Sequence, residues 1–410
     1  MNTTQPGLRR ALSLPLLTFY GLGTILGAGI YVLVGEVSAV AGMYAPVAFV
    51  TAAIVAGFTA FTYAELAARH PLSGAEAVYV QEGLGHRGLS TLVGYLIVFS
   101  GLVSSATLAR GFVGYLRVFA ELPGILVIVL LVAALGALAL WGILESVTIA
   151  AVATVIEIGG LLLIIGVSAN SLVTLPERLP ELIPSADAAT WWSISMGAFL
   201  AFYAFIGFED MVNVSEEVKD PQRIVPRAIV LALVSSTLLY LLVVTAAVLA
   251  LPVATLATSE APLALVFESA TGASPVLITL ISLFAVINGA LIQMIMASRM
   301  LYGMACAGWA PRLFARVGER TRTPVVSTGV ITFGVLVFAL WLPLVTLAKL
   351  TSFAILLVFV LVNLSLIRIK RFQQPPAGIR VYPLWVPYGG LSLAIALLVL
   401  QSLSVFGIAG

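Results

Sequence analysis

Runs of roughly 20 apolar residues, the length at which a helix crosses the hydrocarbon of a bilayer, recur along the whole chain with short polar or charged stretches between them. The pattern predicts an all-α polytopic membrane protein of about 11 transmembrane helices, spans 1 to 11. They lie near residues 14 to 38, 45 to 69, 89 to 119, 123 to 142, 146 to 170, 193 to 212, 227 to 251, 275 to 305, 325 to 342, 345 to 367 and 386 to 408. Between them, residues 70 to 87 mix apolar and polar positions and are expected at the interface. Residues 215 to 227 are strongly charged, with Pro226 placed to open span 7 in its first turn. Either stretch would also read as a solvated loop.

Two spans carry an interrupting pattern. Span 1 holds Gly21, Gly23, Gly27 and Gly29 near its middle. Each glycine costs a helix interior about 1 kcal/mol relative to alanine, and a backbone group freed inside a bilayer still needs a partner. If the helix breaks there, the N–H groups of Gly27, Ala28, Gly29 and Ile30 form the positive end of its second half, a site for an anionic group such as a carboxylate. The same glycines would equally let an unbroken helix pack closely against a neighbour. Span 6 runs through Tyr203-Ala204-Phe205-Ile206-Gly207-Phe208 into Glu209 and Asp210. Charge inside a span costs about 2.5–3.5 kcal/mol on insertion, so the two acids are expected to face a cavity or a partner. A break around Ala204 to Gly207 would instead make them caps of the next half-helix.

Interrupted helices five spans apart are the mark of a carrier built from two inverted halves. The expectation is a five-plus-five inverted repeat in one domain over 1–410, with a first repeat about 14–170, a second about 193–367 and an extra helix about 386–408. Arg110, late in span 3, and Arg299, late in span 8, repeat the spacing of five and are expected to meet carboxylates in gates or to snorkel to headgroups.

Composition narrows the class. The 410 residues are 61% hydrophobic and 9% charged, and the mean hydropathy is +1.13, which excludes a soluble protein of this length. A net charge of +2 offers no field for nucleic acid, and the single cysteine, Cys306, rules out an internal disulfide. Arg9 and Arg10 before an apolar run imitate a signal peptide, but the run is too long and reads as an uncleaved first span. With the N-terminus in the cytoplasm, the inward segments hold Arg9, Arg10, Arg69, Arg87, Lys219, Arg223, Arg227, Arg312, Arg316, Arg320, Arg322, Arg368, Lys370, Arg371 and Arg380. That is 15 of the 20 Lys and Arg, as the positive-inside rule requires. A multi-pass protein of the cytoplasmic membrane follows. A membrane enzyme is disfavoured: His70 and His86 share one loop, no cluster has metal-ligand spacing, and no nucleophile has a base beside it. Neither cofactor nor metal is expected.

The motifs resemble the amino acid, polyamine and organocation transporter superfamily, bacterial amino acid permease branch. They are Gly23-Thr24-Ile25-Leu26-Gly27-Ala28-Gly29-Ile30, and Phe205-Ile206-Gly207-Phe208-Glu209 running on into Glu216-Glu217-Val218-Lys219-Asp220-Pro221 and Pro226-Arg227. Tyr63-Ala64-Glu65-Leu66, Ser298-Arg299-Met300-Leu301-Tyr302 and Thr323-Pro324 are shorter matches, so the resemblance covers nearly the whole chain. It implies a substrate held between spans 1, 3, 6, 8 and 10, an amino acid carboxylate on the N–H groups around Gly27, Ala28 and Gly29, and an ammonium on the carbonyls of Ile25, Tyr203 and Ile206. Tyr203, Phe205 and Phe208 become gates or pocket walls. Thr24, Ile30 and Ala204 belong to the same segments, and Ser104, Ser105, Thr107, Asn288 and Gln293 are side-chain candidates on spans 3 and 8. The chain departs from the family in having about eleven spans rather than twelve, and Cys306 and Ala307 where Arg and Asp are common. It also has Glu157 in span 5 where some proton-coupled relatives carry lysine.

Glu157, Glu209, Asp210 and Arg299 are the coupling or gating candidates. A lone carboxyl in an apolar span is suited to take up and release a coupling proton, to face a cationic substrate, or to rest against a hydroxyl or backbone group. The resulting expectation is a secondary carrier of amino acids working by alternating access, proton-coupled or exchanging, with the lipid bilayer, protons and a small amino acid as its partners. A polyamine or amine carrier, or a sensor of the same shape, stays open.

Overall fold

The computed structural model describes residues 12–27, 29–71, 75–141, 147–318, 321 and 323–405. Ala28, Arg9, Arg10, Arg320 and Arg322 of the sequence reading lie outside the described residues. Among those described, regular structure is helical apart from one isolated parallel bridge, Leu12 to Val218. Eight helices are long and apolar enough to cross a membrane, and two shorter apolar ones, Ala151–Val167 and Val325–Trp341, accompany them. The first of the eight, Leu14–Arg69, has 56 residues. At 1.5 Å per residue that is more than twice a bilayer's thickness, so it is two crossings, which meet at Gly42 with φ 62°. The protein is an all-α polytopic membrane protein with eleven apolar segments, as the pattern predicts.

Span 1 is Leu14–Leu26 and Gly29–Ala41; span 2, Ala45–Arg69; span 3, Arg87–Leu116; span 4, Gly124–Trp141; span 5, Val147–Val167. Span 6 is Ala188–Ala201, a 3-10 turn Phe202–Phe205 and a 3-10 segment Glu209–Glu217. Spans 7 to 11 are Pro221–Ala250, Val276–Cys306, Val325–Trp341, Leu344–Phe372 and Trp385–Val405. Span 3 packs against spans 8 and 10, span 7 against span 2, and the first half of span 1 against spans 5 and 7. Buried rings of Tyr63, Phe202, Phe208 and Phe359 stack edge-on or tilted at 5.4–5.7 Å where spans 2, 6 and 10 meet.

The structure corrects one expectation about the connections and adds to two others. Span 7 begins at Pro221, after Asp220, so Pro226 lies inside the helix rather than opening it. Pro221 takes the first-turn position, where a missing N–H costs nothing. The charged stretch before it is more than a solvated loop: the Leu12 N–H donates to Glu217 O at 3.0 Å and the Lys219 N–H to Leu12 O at 3.1 Å, tying the start of the chain to the end of span 6. Within residues 70 to 87 a helix, Ala75–Leu84, packs on spans 3 and 10 with Glu76, Ala77, Tyr79 and Val80 buried.

A buried ion network joins spans 2, 10 and 11. Glu65 is fully buried; its Oε1 accepts from Arg69 Nε at 3.1 Å and Nη2 at 2.8 Å, and its Oε2 from Lys370 Nζ at 2.7 Å and the Tyr382 N–H at 2.9 Å. Lys370 also donates to the Tyr382 carbonyl. A carboxylate with two cations and a backbone donor satisfies every lone pair that burial strips of water.

Candidate substrate site

The first helix of span 1 ends at Leu26, with the Gly27 N–H still donating to Gly23 O at 3.0 Å, and the second begins at Gly29. A Cβ on Gly29 would stand 2.6 Å from Ala204 Cα, and one on Gly27 would stand 3.3 Å from Gly289 Cα and 2.7 Å from Gly23 O. The glycines therefore do both of the things left open by the sequence: the helix breaks, and the break lies against spans 6 and 8. Span 6 breaks opposite. Its α-helix ends at Ala201, Ile206 is extended, and Gly207 has φ 129°, a conformation closed to a side chain.

The backbone groups freed by the two breaks are answered by each other and by span 7. The Thr24 hydroxyl lies 2.9 Å from the carbonyl oxygens of both Gly21 and Gly207. The Tyr240 hydroxyl lies 2.7 Å from Ile25 O and 2.9 Å from Ala204 O, so one phenol bridges both interruptions. Sequence reasoning missed Tyr240. The demand that freed carbonyls find donors in a bilayer was the signal that called for such a residue. Glu209 Oε2 accepts from the Gly207 N–H at 2.8 Å, so the carboxylate answers a donor of the break itself rather than capping the segment that it opens.

Between the breaks lies an enclosed space lined by Thr24, Ile25, Gly27 and Gly29 of span 1, Ser104 and Leu108 of span 3, Tyr203 and Ile206 of span 6, and Gly289, Ile292 and Gln293 of span 8. The Ser104 hydroxyl and the Tyr203 phenol are 2.9 Å apart across it. Its volume of about 20 Å³ holds little more than a water. A cavity of about 410 Å³ opens on one side, lined by Asn213, Glu217 and Arg299 among methionines, and one of about 470 Å³ on the other. An amino acid reaches the centre only if the helices around it separate.

Of the expected substrate residues, Thr24, Ile25, Gly27, Gly29, Ser104, Tyr203 and Ile206 are brought together here. Ile30 is fully buried in the core, and Ala204 faces Gly29 rather than the cavity. Phe205 packs against Phe49 and Tyr240, and Phe208 against Tyr63 and Phe359, so neither is a wall: their period in the broken segment points them at spans 2, 7 and 10. Thr107 donates back to Val103 O at 2.9 Å and Ser105 joins spans 3 and 8 through Ala290 O at 3.1 Å. Leu108, Gly289 and Ile292 are additions that apolar runs gave no reason to single out.

Asn288 turns away from the cavity: its Nδ2 donates to Glu157 Oε1 at 2.9 Å. Glu157 is fully buried, its backbone carbonyl accepts from the Tyr31 hydroxyl at 2.6 Å, and its Oε2 has no hydrogen-bond partner among the described residues. Asp210 is reached from the cavity through Gln293, whose Nε2 donates to Asp210 Oδ2 at 3.2 Å. Arg110 meets no carboxylate among the described residues. Its Nε donates to Ala339 O at 2.6 Å and its Nη2 to Leu340 O at 3.0 Å, the carbonyls left free where span 9 ends before Pro343.

A family described as Amino acid permease matches residues 12–408. The chain belongs to this permease family. It is 29% identical over 394 residues to the branched-chain amino acid permease BcaP of Bacillus subtilis (strain 168), covering 90% of this chain and 83% of that one. It is 30% identical over 395 residues to the vacuolar cationic amino acid transporter 4 of Arabidopsis thaliana, covering 91% of this chain and 65% of that longer protein. A methylthioribose transporter of Bacillus subtilis (strain 168) is 27% identical over 408 residues, with 93% and 86% covered. The family and these relatives are carriers, not enzymes.

Proposed function

We propose that this permease moves a neutral, apolar amino acid across the cytoplasmic membrane by alternating access between two five-span inverted halves, with its N-terminus in the cytoplasm. The observation that carries the reading is the enclosed space between the two broken helices. The backbone at the two breaks would meet the α-carboxylate and α-ammonium, and the lining sets the apolar side chains of Ile25, Leu108, Ile206 and Ile292 beside the uncharged polar ones of Thr24, Ser104, Tyr203 and Gln293. Among the described residues lining it, none is charged. A cationic substrate would need Glu157, Glu209 or Asp210 in that lining. A polyamine would leave the N–H end at Gly29 without an anion to bind.

Counterflow in proteoliposomes tests this: with mixed unlabelled amino acids inside, labelled L-leucine accumulates and labelled putrescine does not. Accumulation of L-arginine but not L-leucine would replace the neutral reading with the cationic one. For coupling, Glu157 is the residue proposed to take up and release a proton during the cycle, supported by its place in a span beside Asn288 and by a fully buried oxygen with no partner among the described residues. Glu157→Gln keeps the bond to Asn288 but not the proton exchange, so it abolishes uptake driven by a pH gradient and spares counterflow. Full pH-driven uptake by this variant would remove Glu157 from coupling.

A further inference from the structure

The cavity of about 470 Å³ lies on the side of the central site away from the segment Glu209–Glu217, among spans 1, 3 and 4, the 251–275 connection and the join of spans 9 and 10. Its floor closes where span 3 touches the second half of span 1. A Cβ on Gly111 would stand 2.5 Å from Val32 Cγ2, so the two helices are in direct contact. Ser104 of the central site is six residues before Arg110 on span 3, and Gly29 is seven before Glu36 on span 1. At 1.5 Å per residue this places both charged residues about 10 Å beyond the centre.

Those two residues open into the cavity with opposite and uncompensated charges. Glu36 is half-buried and has neither a hydrogen bond nor an ion pair with any described residue. Arg110 is held by two carbonyls, Ala339 O and Leu340 O, which orient its guanidinium without neutralising it. The remaining charges of the lining cancel each other: Arg117 Nη1 and Glu260 Oε2 are 2.5 Å apart at the exposed rim. The cavity thus presents one free anion and one free cation in partly water-excluded surroundings, where a charge attracts its complement more strongly than in bulk water.

We propose that this cavity is an entry site for the zwitterionic head of an α-amino acid, Glu36 taking the ammonium and Arg110 the carboxylate before the substrate descends past Val32 and Gly111. The inference rests on the reading of the chain as an amino acid carrier and adds a second, shallower site to it. Both fixed charges are complementary to a zwitterion and only one of them to an amine or to a carboxylic acid.

The test is uptake into right-side-out vesicles of labelled L-leucine, L-alanine or L-arginine, whichever the unmodified chain carries, with efflux measured from the other face. A lost hydrogen bond to a charged group at the entry site raises the external KM about tenfold for Glu36→Gln and for Arg110→Gln. Influx and efflux must balance at equal concentrations, so the ratio of maximal rate to KM measured from the other face falls by the same factor. The amide of the same amino acid, which lacks the carboxylate, responds to Glu36→Gln and not to Arg110→Gln. If the unmodified chain carries none of the three, the carrier reading falls and the entry site with it. If it carries one and Glu36→Gln leaves the external KM unchanged, or alters uptake of the amino acid but not of its amide, the entry site alone is overturned. Arg110 also ties down span 9, so Arg110→Gln is read beside Glu36→Gln, whose side chain makes no bond to lose.

Discussion

Replacing Glu65 by leucine tests whether the ion network under spans 2, 10 and 11 behaves as its geometry dictates. Glu65 has no exposed surface, and the side chains of Arg69 and Lys370 are 3% and 6% exposed. Glu65→Leu therefore leaves two cations buried with no anion, and it strips the Tyr382 N–H of its acceptor. Removing one partner of a buried pair costs about 3–5 kcal/mol, because an uncompensated charge stays out of water. That is a large share of the 5–15 kcal/mol that holds a typical domain folded. Equilibrium unfolding in mild detergent should show the loss directly. The informative comparison is the triple variant Glu65→Leu, Arg69→Met, Lys370→Met, which removes every charge and keeps the volume. Replacing a whole buried network by apolar groups is close to neutral, so the triple variant should recover at least about half of the single variant's loss, with Tyr382 still missing its partners. A Glu65→Leu protein within about 1 kcal/mol of the unmodified one would refute the argument, as would a triple variant no more stable than the single.

Two further outcomes follow from local geometry. Gly29→Ala puts a methyl group 2.6 Å from Ala204 Cα, a backbone atom that cannot swing aside, so the two broken helices are forced apart at about 1–3 kcal/mol and counterflow is lost while the purified protein stays monodisperse; exchange at the unmodified rate would refute this. Asp187 caps span 6, and hydrogen bonds from the Ser185 hydroxyl and then from the Thr190 N–H at 2.8 Å pull its carboxyl down to about 2. A lowered carboxyl stabilises the folded form above its unfolded value of 3.8 and loses that contribution as pH falls towards 2. Amide protection at Thr190 to Ile194 should fall over that window in the unmodified chain and show no such step in Asp187→Ala.

The chain's own pattern determined the class of the protein and the place of nearly every span, and it marked the two stretches where a break or a close approach was to be expected. Apolar runs near 20 residues and mid-span glycines answer to the bilayer, a constraint local enough to act on each segment alone. Span 2 was read to its ends in this way, 45 to 69, whereas the glycines of span 1 left a break and a close helix contact equally open. Partnerships were different. Which carbonyl Tyr240 reaches, that Asn288 faces Glu157 rather than the cavity, that Phe205 and Phe208 point into the core, and that Arg110 serves span 9 instead of a gate were decided only when eleven segments packed. Each depends on the rotation of one helix against another more than 30 residues away, and an apolar run looks the same at every rotation. Charge behaved likewise: Glu65 and Glu36 are both carboxylates on spans, and only their neighbours make one a fully satisfied clamp and leave the other free at the mouth of a cavity.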